Sequence, residues 1–599
     1  MLDRRPLVVF LGSLLGLAAV GTLPAQAPPA PYDVLIRGGR VFDGSGNPWF
    51  YADVGIRGDE IAAVGSLDGA TAVRVIDASG RYVTPGFIAL HEHVEPDILD
   101  GYGTLPNYTT QGFTTAVINA DGYNFDLTGG DDRHLWPLER ERALLEAAGS
   151  ALNLAMLVPH GTIRNMVIGT EPEDVMRFAT ADEIEAMQAL VREGMEAGAF
   201  GLSTGLEYSP MRYSSEEEVI ELARAVAPYG GHFQAHMRSQ GRYPKWQLPS
   251  HMDHPTQRHV TWMDATMEIL RVGREAGVPV MFDHIHPKGP REWGMSHVTT
   301  QLIDDMWEDG HPVYINMHSY EGYSAFVTLM PRWALIEGVV PGQSMADDFP
   351  PVVYGDMKAN LRARLEDPET RAMIRRDSEY EMLRQGGPEN LLITDFPDTT
   401  LVGKTLAGLA RERGETPFET AIWLQMNGFD RPGGVLWMAK AVGMIDIVEW
   451  MRQDYTGVTL DRGGDRPEIR SNPAIHPGYF GTSGRLIREF ALERGTITLP
   501  HAIRSLTGLP AQILGLADRG RIAPATKADI VVFDPESIGT DATYLDPFVY
   551  QEGMTHVLVN GTFVVDEGRP TAALPGRVLE RTRGRGHPSA AGTAKEEVP

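Results

Sequence analysis

Residues 84–93 read Thr84-Pro85-Gly86-Phe87-Ile88-Ala89-Leu90-His91-Glu92-His93, a short apolar run that stops at two histidines separated by one residue. Side chains alternate along an extended segment, so His91 and His93 point to the same side of a strand end and can share one ion. The chain contains no cysteine. Disulfides and thiolate sites are therefore excluded, and a metal ion would have to be held by histidine and carboxylate.

Working outward, apolar runs alternate with helical segments, as in parallel βα units. Asp182 to Ala197 repeats Ile184, Met187, Leu190, Val191 and Met195 at helical spacing, and Ser215 opens a second helix with three glutamates behind it. Eight strand candidates emerge: Phe87–Leu90, Thr115–Asn119, Leu152–Val158, Phe200–Thr204, His232–Ala235, Pro279–Asp283, Pro312–Asn316 and Tyr455–Leu460. Eight units predict a (β/α)8 barrel of the TIM type, whose site lies at the C-terminal strand ends. There the candidates deliver His91 and His93, Asp121, His160, Glu207, His236, His284, His318 and Asp461 in turn. A lone histidine is more often a hydrogen-bonded structural residue than a ligand, and a lone aspartate after a strand often caps a helix. The joint placement of so many ligand-type residues where a barrel would aim them into one basin favours a metal site.

Short β-like runs from Asp33 to Asp77, punctuated by Gly38-Gly39, Asp43-Gly44 and Gly58-Asp59, return near Ala528–Phe533 and Val557–Gly561. They predict a small composite β-sandwich domain from residues 32–84 and 515–572, flanking a barrel at 85–514. Residues from about 321 to 450 interrupt the alternation before the last strand with helix-like segments of their own. This is an inserted subdomain, either a cap over the substrate or a surface decoration. The tail 573–599 is rich in Gly, Arg, Pro and Ala and is expected to be disordered. At the other end, a basic start, an apolar run from Pro6 to Val20 and Ala25-Gln26-Ala27 read as a signal peptide over 1–27. The run is too short to span a bilayer, which takes roughly 20 residues. An exported protein, periplasmic or secreted, is expected, without stable membrane association once the signal is cleaved. A net charge of −27 argues against nucleic acid as a partner. Homo-oligomerisation stays open.

The context of the His-x-His pair resembles the amidohydrolase superfamily, with its Pro-Gly-aliphatic lead into His-x-His. Within it the chain is similar to the N-acyl-D-amino-acid deacylase (D-aminoacylase) family. The similarity continues through Gln111-Gly112-Phe113-Thr114-Thr115, Pro159-His160-Gly161-Thr162-Ile163-Arg164, Gly201-Leu202-Ser203-Thr204-Gly205, His236-Met237-Arg238, Gly520-Arg521-Ile522 and Ala528 to Pro535. The resemblance implies a metal-dependent hydrolase that cleaves a non-peptide carbon–nitrogen bond in a small amide, an N-acyl-D-amino acid. Its ligands would be His91 with His93 and His236 with His284; His286 competes for the last place. Asp121, in Asn119-Ala120-Asp121-Gly122, stands where the family usually has a cysteine, and a carboxylate there can also bridge two ions. One or two zinc ions are implied, with another divalent metal admissible. Asp461 would take a proton from water activated by the metal and return it to the leaving nitrogen.

The substrate contacts leave the family pattern. His318 falls where a tyrosine is usual, Ser324 keeps the usual serine, and Gly478 in His476-Pro477-Gly478 replaces an arginine that clamps the substrate carboxylate. His160, His318, Ser324 and Arg238 are the candidate substrate contacts. Arg462 and Arg485 could also compensate for the missing arginine, and the sequence does not choose among the three arginines. Alternative functions are another amidohydrolase reaction, on a dipeptide, a cyclic amide or an exocyclic amine, and a non-catalytic binding protein.

Overall fold

The computed structural model describes residues 31–124, 136–251, 260–325, 327–338, 354–465 and 475–581. At its centre stand eight parallel strands: β1 (Phe87–Ala89), β2 (Phe113–Ile118), β3 (Asn153–Met156, continued as Val158–Pro159), β4 (Gly201–Gly205), β5 (His232–His236), β6 (Val280–Phe282), β7 (Val313–Met317) and β8 (Thr456–Val458). Each is hydrogen-bonded to the next in parallel register. Leu90 N–H donates to the carbonyl of Val458 at 3.2 Å and joins the last strand to the first. Gly457 allows this closure, because a side chain there would run into Leu90. The strands are buried on both faces. That is why they read as near-continuous apolar or small-residue runs rather than as alternating ones.

Helices pack outside. Ala181–Glu196 and Trp262–Ala276 both open with capping boxes, Thr180 with Glu183 and Thr261 with Asp264. Ser215 caps Glu216–Val226 by accepting from Glu218 N–H at 3.1 Å.

The chain ends share one nine-stranded sheet, in which Tyr82–Pro85 pairs with Ile530–Phe533. Ile530–Phe533 is buried throughout and splits by parity. Ile530 and Val532 face the core of this sheet with Ile36, Val54 and Ile61, whereas Val531 and Phe533 face the barrel core. A buried polar network fastens sheet to barrel: Asp529 takes the Arg519 guanidinium, Asn153 Nδ2 at 3.2 Å and Asn560 N–H at 2.7 Å.

The insertion carries a three-stranded antiparallel sheet, Tyr323–Ala325, Leu436–Ala439 and Leu391–Asp395, with its own core around Trp333, Ile374, Phe418 and Trp437. It ends earlier than the sequence suggests. Helix Met444–Met451 places Ile447 and Trp450 in the barrel core, so it is the crossover helix before β8 and the insertion stops near residue 442. The C-terminal expectation also needs correction. Residues 573–581 are ordered, with Val578–Leu579 paired in parallel with β3; the rest of the tail lies outside the described residues. Among the described residues no helix is long and apolar enough to cross a membrane. The expected signal at 1–27 lies outside the described residues.

Candidate metal centre

Where the barrel strands end, the backbone bends sharply to aim ligand-type side chains inward. Asn119, Asp121, His284 and Asp461 all have positive φ, at 62°, 54°, 30° and 57°. Such a conformation costs a non-glycine residue of order 1–3 kcal/mol and persists only where neighbours enforce it. They do so here. Asn119 N–H donates to Glu95 Oε1 at 2.6 Å, His284 N–H to Asn316 Oδ1 at 2.7 Å and Asp461 N–H to Thr459 Oγ1 at 3.1 Å.

The side chains so aimed converge. Asp121 Oδ1 lies 3.6 Å from His236 Nδ1, 3.6 Å from His284 Nε2 and 3.8 Å from His91 Nε2, and Asp121 Oδ2 lies 3.8 Å from His93 Nε2. Asp461 Oδ1 lies 3.5 Å from His91 Nε2 and 3.4 Å from His93 Nε2. Ligand atoms ~2.1 Å from one tetrahedral ion stand about 3.4 Å apart. The spacings are those of atoms around a cation, although His236 Nδ1 and His284 Nε2 also approach to hydrogen-bonding distance, 3.2 Å. His91 Nε2 and Asp121 Oδ1 are moreover buried without a hydrogen-bond partner, a costly state that a cation would relieve. Three overlapping groups have ligand geometry: His91, His93 and Asp121; His91, His284 and Asp461; and Asp121, His236 and His284. Asp121 belongs to two of them, as a bridging carboxylate would.

Electrostatics repeats the demand for positive charge. Burial disfavours a charged His91, yet Asp283 and Asp121 outweigh it and raise its pKa to about 10. Burial likewise opposes ionisation of Asp121, but His91, His284 and His236 hold its carboxyl below the usual range. His236 is pushed down to about 4 by burial. Asp461 stays ionised against its burial through His284, His93 and Arg462.

Behind these residues lies a supporting layer, in which the sequence reading missed Asp283, Asn316 and Gln240 and expected Glu207 in the basin itself. Asp283 Oδ2 stands 3.1 Å from His91 Nδ1, and Asn316 Nδ2 donates to Asp283 Oδ1 at 2.6 Å. Glu207 Oε2 holds His236 Nε2 at 3.1 Å, and the Gln240 amide meets His284 Nδ1 at 2.8 Å. Glu92, the middle of the triplet, faces away from the basin. It accepts from Leu460 N–H at 2.8 Å, Thr459 Oγ1 at 2.9 Å and Tyr108 OH at 2.7 Å, and so fixes the loop that carries Asp461. Alternation on a strand foretells that Glu92 points away. The cross-strand pairing of Asp283 with His91 has no local signal.

The candidate substrate contacts separate. His160 has both ring nitrogens engaged, Nδ1 with Thr204 Oγ1 at 2.9 Å and Nε2 with Glu218 Oε1 at 3.0 Å, inside a buried network with Arg164. Arg238 grips Glu268 with Nε and Nη2, at 2.9 and 2.7 Å, and gives Nη1 to the carbonyl of Arg212 at 2.8 Å. Both expectations are corrected: these polar groups are consumed inside the protein and none is left for a substrate. The ring of His318 stands 4.4 Å from that of His286. Ser324 lies in the insertion's strand Tyr323–Ala325, paired with Met438. His286 turns toward His318, which leaves His284 as the histidine beside Asp121. Helix Pro368–Arg384 of the insertion reaches the loop after β5, where Asp377 accepts from Ser250 N–H at 2.8 Å and Tyr380 OH donates to the carbonyl of Tyr243 at 3.3 Å.

A closed (β/α)8 barrel with a buried histidine–aspartate cluster at its strand ends is the architecture of a metal-dependent hydrolase. Comparison with known proteins agrees. The model of the amidohydrolase family matches residues 74–314 and 395–565. A D-aminoacylase of Alcaligenes xylosoxydans xylosoxydans is 31% identical over 573 residues, covering 93% of this chain and 99% of that protein. An N-acyl-D-glutamate deacylase of the same organism is 30% identical over 561 residues, covering 92% and 96%. Among solved structures, N-acyl-D-glutamate deacylase of Bordetella bronchiseptica, complexed with zinc and a phosphonate mimic of the tetrahedral intermediate, has a TM-score of 0.69 at 27% identity and covers 92% of this chain and 100% of that one. A D-aminoacylase with a binuclear metal centre has a TM-score of 0.67 at 29% identity, with the same coverage. The chain belongs to the amidohydrolase family.

Proposed function

We propose that this protein removes the acyl group from N-acyl-D-amino acids by hydrolysis. One observation carries the reading: Asp461 Oδ1 lies 3.5 and 3.4 Å from the inward nitrogens of His91 and His93, in the same basin as Asp121, His236 and His284. His91, His93, Asp121, His236 and His284 would hold one or two zinc ions, with Asp121 between the two histidine pairs. When bound, zinc supplies a Lewis acid that polarises a carbonyl and acidifies water. The chain's own residues do the rest. Asp461, ionised and held by its loop, takes a proton on Oδ1 as water attacks and passes it to the departing amide nitrogen. Asp283, Glu207 and Gln240 keep the imidazoles of His91, His236 and His284 turned inward. The similarity to D-aminoacylase and N-acyl-D-glutamate deacylase supports the D-amino-acid half of the reading.

The test is metal analysis of protein purified without chelator, followed by a screen of N-acetyl D- and L-amino acids, dipeptides and cyclic amides. Zinc with release of free D-amino acid is expected. Metal with turnover confined to dipeptides or cyclic amides overturns the substrate, and absence of both metal and turnover leaves a binding protein. Export completes the proposal, supported by the signal-like residues 1–27. The amino-terminal sequence of the mature protein, expected to start after Ala27, checks it.

A further inference from the structure

Behind the turn that carries Asp121, two buried carboxyl groups meet one asparagine, and no basic side chain balances them. Asn119 N–H donates to Glu95 Oε1 at 2.6 Å, while Asn119 Nδ2 donates to Glu141 Oε2 at 3.0 Å and to the carbonyl of Leu157 at 3.1 Å. Asn124 Nδ2 adds a longer contact to Glu141 Oε2, at 3.4 Å. Among the described residues no arginine, lysine or histidine hydrogen-bonds to either carboxyl. Glu95 is 2% exposed, and Glu141 and Asn119 are fully buried.

Three oxygens remain unmet. Glu95 Oε2, Glu141 Oε1 and Asn119 Oδ1 are all shielded from solvent and have no donor. Each is the second atom of a group whose first atom takes part in the Asn119 contacts, so the three are gathered around that one residue. Buried acceptors without a partner are costly, and charged ones more so. Burial and the neighbouring Glu95 carboxyl favour a proton on Glu141. One proton joins only two of the three oxygens and leaves the third unmet. A cation satisfies all three together.

The donor set selects the cation. Oxygens alone, with no imidazole or thiolate among them, suit a hard ion rather than zinc. Two carboxylates balance a double positive charge. Magnesium retains several waters of its own, which a cluster closed to solvent does not admit, whereas calcium accepts irregular sets of protein oxygens. We infer that Glu95, Glu141 and Asn119 bind one calcium ion at a site separate from the histidine–aspartate basin. Glu95 follows His93 by two residues and Asn119 precedes Asp121 by two. The ion therefore ties together the two chain segments that present those ligands, whichever amide the basin hydrolyses.

The experiment equilibrates the full-length, zinc-loaded protein overnight with radioactive calcium and measures the bound ion by dialysis. One calcium per chain is expected, with Kd about 0.1–1 mM, together with a Tm that rises as calcium is added. Glu141→Gln places an amide N–H₂ where the free Glu141 oxygen stands, and so supplies from within the donors that the ion would replace. It should fold, keep its zinc and bind calcium at least about 10-fold more weakly. Wild-type protein that takes up no calcium at about 10 mM overturns the site. So does a Glu141→Gln variant that binds calcium as wild type does, because the ion then sits in the basin or on the surface. If the variant does not fold, anomalous scattering from wild-type crystals grown with calcium decides. A peak among the three oxygens is expected, and a water molecule there overturns the inference.

Discussion

The two walls of the strand-end basin are built on different principles. On the wall formed by β1, β5 and β6, each of three inward imidazoles is backed by a second side chain: His91 by Asp283, His236 by Glu207 and His284 by Gln240. The loops after β6 and β8 also carry His286, His476 and Arg462, each with a buried side-chain nitrogen that meets no other side chain. A wall whose outer atoms are all engaged holds its inner atoms to one geometry, as metal coordination requires. A wall whose polar atoms are not all engaged by other side chains is where a chain can change its contacts without disturbing the ion.

The contrast can be broken by substitution. Asp461→Asn should lower kcat by about 1,000-fold with metal content intact, since it removes the proton carrier but no histidine. Retained turnover would detach Asp461 from the chemistry. Arg238→Met, which strands Glu268 in the interior, should cost about 3 kcal/mol of stability in denaturant unfolding. It should leave KM for the substrate unchanged, and a raised KM in the folded variant would return Arg238 to the substrate contacts. Asp283→Asn should weaken metal affinity about 10- to 100-fold in chelator competition, the usual size for loss of an outer partner. Unaltered affinity would mean that the backed wall is not what holds the ion.

The smallest effect concerns Glu141, whose pKa burial and the nearby Glu95 carboxyl raise to about 8. A carboxyl raised on folding stabilises fully below its unfolded pKa, and that contribution is lost as pH rises through the folded value. Stability should therefore decline between about pH 4.5 and 8, and Glu141→Gln should flatten the decline by about 1 kcal/mol or more. An unchanged slope in unfolding experiments across that window would show that Glu141 does not carry it.

What could be read from the sequence follows the same division. The barrel was legible because strands such as Phe113–Ile118 are buried on both faces and leave an unbroken apolar signature. The ligand-type residues were legible because a strand end fixes where the next side chain can go, as at His91 and His284. Partners across the barrel were not: Asp283 meets His91 from a strand far away in sequence, and no local pattern announces it. His160 and Arg238 misled for a related reason. They have the residue types of a binding site, but Glu218 and Glu268, the side chains that consume them, sit on helices whose docking the sequence does not display. Helix Met444–Met451 could not be divided from the insertion by composition, since only contact with the barrel core distinguishes it.

The pairing of Tyr82–Pro85 with Ile530–Phe533 has a consequence for how the molecule comes into being. The first strands to leave the ribosome must wait, one edge uncovered, until the whole barrel and its insertion have been translated. An uncovered β-edge is a template for unwanted association. The nascent amino-terminal hairpins are thus the period of greatest exposure in the life of this chain, and whatever shields them then governs the yield of the folded protein.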